Sequence, residues 1–216
     1  IVERPSEAFL DQLQKAMGFE PHREHGMDTV EAIHAMGEGK AKIFFAMGGN
    51  FVAATPDTAY TEAALQRCQL TVQVSTKLNR SHLVTGTRAI ILPCLGRSEI
   101  DQQSTGPQFV TCENSMSIVT RSQGRNTPAS DTLMSEPAIA AHLAHHTLGE
   151  RSPVDWLSLV EDYGRIRDVI AQVVPGFDDY NAKVLDPSGF VLPNSARSRE
   201  WRTQSGKAEF TVHPIP

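Results

Sequence analysis

Residues 42–58 read Lys-Ile-Phe-Phe-Ala-Met-Gly-Gly-Asn-Phe-Val-Ala-Ala-Thr-Pro-Asp-Thr, and this stretch leaves few folds open. Ile43, Phe44, Phe45, Ala46 and Met47 form an apolar run without polar alternation. That pattern predicts a strand buried on both faces, as in a parallel sheet with helices on each side. The run breaks at Gly48-Gly49-Asn50, where residues that tolerate positive φ and carry little bulk let backbone N–H groups approach a ligand. Thr55 then reads as an N-cap, Pro56 as the first helical residue and Asp57 as a complement to the helix dipole. Strand, glycine turn and capped helix are the layout of a nucleotide site, and equally of a plain strand end, since Gly-Gly-Asn is neither G-x-G-x-x-G nor a Walker loop.

Two more apolar runs extend the pattern. Residues 70–74 predict a second strand, ending in the polar loop Ser75-Thr76-Lys77-Leu78-Asn79-Arg80-Ser81, and residues 89–92 predict a third, stopped by Pro93. The alanine-rich segment 56–68 predicts a helix between the first two, while the next connection has room only for a short one. The resulting βαβαβ order predicts an α/β fold: a mainly parallel sheet with helices on both faces, an αβα layer. Ligands of such sheets sit beyond the carboxyl ends of the strands, where the glycine turn and the polar loop both lie.

Composition narrows the function. With 20 basic against 25 acidic residues the net charge is −5, which argues against non-specific binding to nucleic acid or an anionic membrane surface. No window holds the run of roughly 20 apolar residues that spans a bilayer, so membrane insertion is not expected. Cys68, Cys94 and Cys112 show no C-x-x-C spacing, which excludes a self-contained zinc or iron–sulfur site and fits a reduced, cytoplasmic protein whose cysteines are small buried hydrophobes. A start at Ile1-Val2 and an end at Pro214-Ile215-Pro216 lead us to expect a piece of a longer polypeptide.

Elsewhere, Ser6 caps a predicted amphipathic helix closing at Gly18, and Asp28-Thr29-Val30-Glu31 reads as a capping box. His22 and His25 fall in a solvated loop, and His142 and His146 share a face of a helix over 136–148 but lack a Glu-x-x-His frame. Residues 95–131 are rich in Gly, Ser, Gln and Thr and predict an ordered surface excursion with β pieces at 108–112 and 117–120. From Ser152 to Pro175 the apolar spacing predicts the longest helix. Residues 1–185 then form one αβα domain. Residues 186–216 read as a basic linker that regains β character at 208–212.

Four stretches carry a resemblance: Phe-Phe-Ala-Met-Gly-Gly-Asn, Val-Ser-Thr-Lys-Leu-Asn, Arg-Ala-Ile-Ile-Leu-Pro and Thr-Gln-Ser-Gly-Lys-Ala-Glu-Phe, in that order and spacing. Together they resemble the molybdopterin oxidoreductase superfamily, formate dehydrogenase alpha subunits most of all. Ile90 stands where the family has Asp, and Asn114-Ser115 where it has Gly-Arg. The resemblance implies an internal segment of a large enzyme, contributing part of the site for bis(molybdopterin guanine dinucleotide) with molybdenum or tungsten. Gly48, Gly49 and Asn50 after the first strand, and Ser75, Thr76, Lys77 and Asn79 after the second, match the cofactor-contact positions. Their chemistry suits the role: backbone N–H groups for pyrophosphate, hydroxyls and amides for ribose and base edges, a lysine opposite phosphate.

By the same resemblance, the metal ligand, the catalytic residues and an iron–sulfur cluster belong to parts preceding this segment, and a further cofactor domain follows it. No catalytic or metal-binding residue is therefore expected within the chain, and no cofactor is expected to stay bound to it alone. Its partners would be the remaining domains of the same polypeptide and the parent's small-molecule substrate. Two alternatives share the strand and glycine order: a stand-alone α/β nucleotide-binding module like the central domain of thiamine-diphosphate enzymes, and a non-catalytic interaction domain.

Overall fold

The computed structural model describes residues 5–212. Ser6 accepts the Phe9 N–H and opens α1 (Glu7–Met17), which ends on a left-handed Gly18. The predicted capping box is present: Asp28 accepts from Glu31 N–H and the Glu31 side chain accepts from Asp28 N–H, starting α2 (Thr29–Gly37). There follow β1 (Ile43–Met47), a four-residue α3 (Phe51–Ala54), α4 (Thr58–Gln66), β2 (Leu70–Ser75), a 3-10 turn (Arg80–Leu83) and β3 (Arg88–Pro93). The three strands lie in one sheet, order β1-β2-β3, every pair parallel, with Met47 opposite Val74 and Val74 opposite Leu92. The α/β class and parallel sheet are those the apolar runs predict.

The strands are not equally buried. Ile33, Met36, Val52, Ala64, Leu65, Cys68 and Val84 form a core against which Phe44 packs, so α2, α3 and α4 cover one face. On the other face Val74 is fully enclosed, yet Ile43 is 64% and Ile90 45% exposed. Burial on both faces thus holds for the central β2 but not for β1 and β3. An outer strand lacks the neighbour whose side chains would close over it.

Two other expectations need correction. Thr55 does not cap the helix after the glycine turn. Its hydroxyl faces inward, 2.8 Å from that of Thr61, and Asp57 caps α4 by accepting the Tyr60 N–H. Phe51–Ala54 forms its own helical turn, which displaces the start of α4 to Thr58.

The excursion after β3 is more ordered than its composition suggests. It holds a hairpin of β4 (Asp101–Gln103) with β5 (Gly106–Gln108), and a second of β6 (Val110–Glu113) with β7 (Ile118–Ser122). Next comes α5 (Glu136–Leu148), capped by Ser135. The predicted long helix is two: α6 (Trp156–Glu161) and α7 (Tyr163–Val173). Asp162 breaks it with an extended backbone and a side chain that accepts the Gly164 N–H, a competition with helix that short polar residues win at such junctions. After α8 (Tyr180–Lys183), β8 (Phe190–Val191) pairs with β7, so part of the segment read as linker belongs to the β6-β7-β8 sheet. Phe177, Tyr180, Val184 and Val119 are the core beneath it. Residues 208–212 form no strand, and Phe210 and Val212 are almost wholly exposed. No helix among the described residues is long and apolar enough to cross a membrane.

Candidate functional site

β1 and β2 run the same way, so their carboxyl ends deliver the glycine turn and the polar loop side by side. Gly48 (φ +70°) and Gly49 (φ +77°) both take the left-handed backbone that the turn requires. Gly48 N–H donates to Val74 O at 2.8 Å, continuing the ladder one residue past β1. A Cβ on Gly49 would meet nothing within 4 Å, so the outer side of the turn is open.

Side chains then lock the turn to the loop. Asn79 Nδ2 donates to Gly49 O at 2.8 Å, while its Oδ1 accepts the Ser81 N–H at 2.9 Å and caps the 3-10 turn. The Ser81 hydroxyl donates to Asn50 Oδ1 at 2.8 Å and accepts the Val52 N–H at 3.0 Å. From below, Gln73 Nε2 holds Ser81 O at 2.9 Å. His82 Nδ1 lies 3.0 Å from the Asn79 nitrogen and 3.2 Å from both Asn79 oxygens, which ties the ring to the cap. Its Nε2 is buried without a partner.

Of the seven residues singled out from the sequence, Gly49 and Asn79 are in direct contact and Asn50 is joined to the loop through Ser81, while Ser75, Thr76 and Lys77 follow at the end of β2. Gly49, Asn50, Thr76 and Lys77 are exposed, Gly48 and Asn79 half-buried, and Ser75 buried at the last position of β2. Both ends of the Asn79 amide and the Oδ1 of Asn50 are already engaged with the loop backbone and Ser81, which makes these two residues organisers of the crevice and leaves the Asn50 Nδ2 as a further donor. The Thr76 hydroxyl and the Lys77 ammonium are exposed and make no hydrogen bond or ion pair among the described residues. A nucleotide tail needs such a donor set, so the residues present fit the group that the resemblance implies.

Ser81, His82 and Glu136 are the residues that sequence reasoning did not select. Ser81 closes the polar stretch and was legible as part of it, whereas Glu136 is distant in sequence and reaches the turn only because α5 starts there. A Cβ on Gly48 would lie 3.5 Å from Glu136 Oε1.

Beyond β1 a cavity of about 470 Å³ opens between the β4–β7 excursion and the start of α5 and α7, with Met47, Arg97, Phe109, Ser135, Glu136 and Tyr163 among its walls. Tyr163 donates to Asp101 Oδ2, and its oxygen lies 2.6 Å from Ser135 Oγ. Burial, reinforced by the Asp101 carboxylate, pushes the Tyr163 phenol well above the ordinary tyrosine range, so it stays a donor. Gly96 and Ala129 N–H groups hold Glu99 below the usual carboxylate range.

Other candidates do not assemble. His22 and His25 are exposed, and no group of three or more His, Cys, Asp and Glu among the described residues could hold a metal, the helix histidines included. Cys68 and Cys94 are buried as expected, and burial raises both thiols. Cys112, on β6, is exposed, contrary to expectation.

No protein-family model matches the chain. It is 53% identical, over 216 residues, to a protein of Mycobacterium tuberculosis named an uncharacterized oxidoreductase, and 46% identical, over 210 residues, to protein YdeP of Escherichia coli. These alignments take in 100% and 97% of this chain, but only 28% of each relative. The chain thus spans little more than a quarter of the length of the curated relatives it matches, and is similar to one segment of larger proteins, the mycobacterial one an oxidoreductase by name.

Proposed function

We propose that the chain is a segment of a molybdopterin-dependent oxidoreductase of the formate dehydrogenase type, and that its strand-end crevice holds a nucleotide end of bis(molybdopterin guanine dinucleotide). One observation carries the reading: the Gly48–Gly49 turn and the loop from Ser75 to Asn79 meet at the carboxyl ends of adjacent parallel strands, fastened by the Asn79–Gly49 hydrogen bond. Similarity to part of a larger protein named an oxidoreductase supports it. The bound cofactor would supply metal-centred electron transfer to or from the substrate. Within this chain the work is binding. The open turn offers N–H groups to pyrophosphate, and Lys77 adds a charge-assisted contact worth about 1.5–3 kcal/mol.

The full-length parent tests this. Lys77→Ala and Gly49→Val should each lower the metal and guanine recovered per protein, the valine more severely because Gly49 sits at φ +77°. Unchanged metal and guanine content in both variants would return the strand-end loops to ordinary turns. The isolated 216-residue chain should reduce no dye with formate as donor.

A further inference from the structure

The crevice has an electrical polarity that neither the resemblance nor the relatives assign. On its β2 side stands Lys77, exposed and without an ion-pair partner among the described residues, whereas neighbouring Arg80 is paired with Glu62 at 3.1 Å. On its β1 side stands Glu136, whose Oε1 lies 3.5 Å from where a Gly48 Cβ would be. Ser135, not Glu136, caps the first turn of α5, accepting the Ala138 N–H at 3.4 Å. The Glu136 carboxylate makes no hydrogen bond or ion pair among the described residues. Burial raises the Cys94 thiol, just past β3, and the Glu136 charge adds to that rise.

A phosphate beside Gly48 would face this anion directly, so the pyrophosphate belongs on the open Gly49 side of the turn, toward Lys77, and the base at the Glu136 end. We infer that Glu136 is the base-reading residue of the crevice, accepting the N1–H and 2-amino donors of a guanine. The inference rests on the nucleotide reading given above. Two adjacent N–H donors match one carboxylate in a bidentate, charge-assisted pair. Adenine presents an acceptor, N1, where guanine presents a donor, and leaves the carboxylate unpaired. Hypoxanthine keeps N1–H but lacks the amino group. The cavity beside Glu136 has the breadth and the apolar walls, Met47, Phe109 and Tyr163, to receive a flat ring.

The test is titration of the full-length parent, prepared in cells unable to make the cofactor, with GDP, IDP and ADP. Wild type should bind GDP at least tenfold tighter than ADP, with IDP between them. Glu136→Gln should weaken GDP about ten- to hundredfold and leave ADP unchanged, because the amide presents a donor to a donor. Lys77→Ala should weaken all three alike. If Glu136→Gln binds GDP as wild type does while Lys77→Ala and Gly49→Val still weaken it, the crevice stands and the base assignment falls. If GDP does not bind wild type, or binds independently of Gly49 and Lys77, both the crevice and the base assignment fall. Equal melting of wild type and Glu136→Gln shows that the comparison is between folded proteins.

Discussion

Tyr163 shows how one side chain can hold an excursion to a helical layer. It is 3% exposed, donates to Asp101 at the start of β4 and receives Ser135 at the cap of α5. Replacing it with Phe strands a carboxylate oxygen and a hydroxyl. Tyr163→Phe should cost about 1–3 kcal/mol at neutral pH, measured by urea unfolding. The same substitution should change the alkaline limb of stability. The folded phenol titrates above the unfolded one, which loses its proton at about 10. Above that pH the unfolded state sheds a proton that the folded state keeps, so stability falls as pH rises, and Tyr163→Phe should flatten that fall. Arg167 makes a parallel case. Buried, its charge disfavoured by burial, it donates to Asn181 Oδ1 at 2.6 Å and Phe109 O at 3.2 Å and lies 4.0 Å over the Phe109 ring. Arg167→Ala should lose about 2–4 kcal/mol through the packing of α7 on β6.

At the scale of elements, the connection between β2 and β3 is too short for a helix and uses a 3-10 turn capped by Asn79. That cap and the Asn79 contact to Gly49 come from one amide, so the order of the loop and the order of the glycine turn rise and fall together. Asn79→Asp keeps the acceptor for Ser81 N–H but loses the donor to Gly49 O, whereas Asn79→Ala loses both. Asn79→Ala should cost about 1–2 kcal/mol and Asn79→Asp less, while both should speed amide exchange at the turn. If Asn79→Asp left that exchange unchanged, the fastening would not run through Asn79. The helix break at Asp162 belongs to the same scale. It lets Tyr163 and Val160 both face the α5–α6 core around Ala141.

For the whole molecule, the consequential feature is the open sheet face. Ile43, Phe45, Met47, Ile90 and Leu92 are all between 37% and 64% exposed, and among the described residues no further strand pairs with the outer edge of β1 or β3, a single bridge from Cys94 to Met134 lying just past β3. Contiguous apolar surface with unpaired edges drives association. The isolated chain should therefore bind a hydrophobic dye and self-associate. Ile43→Lys with Ile90→Lys should suppress both without lowering the melting temperature, as scattering and dye fluorescence would report. A loss of fold would instead show that these residues are held in the core.

The three strands, their parallel order and the helices with strong caps were legible because the forces that make them are local: apolar runs, glycine breaks, and Ser or Asp three residues before an N–H that it can accept. The convergence of Gly49 with Asn79 also followed from sequence, since adjacent parallel strands must present their carboxyl ends together. What only the tertiary structure decided depends on groups distant in the chain. Glu136 meets Gly48 because α5 begins beyond β1. The hairpin β4–β5 was hidden by a Gln- and Thr-rich composition whose pairing is selected by Tyr163 and Asp101. Thr55 turned inward because Thr61 lies beneath it. And an apolar strand reads the same whether or not its outer neighbour is present, so the exposure of β1 and β3 was beyond any local pattern.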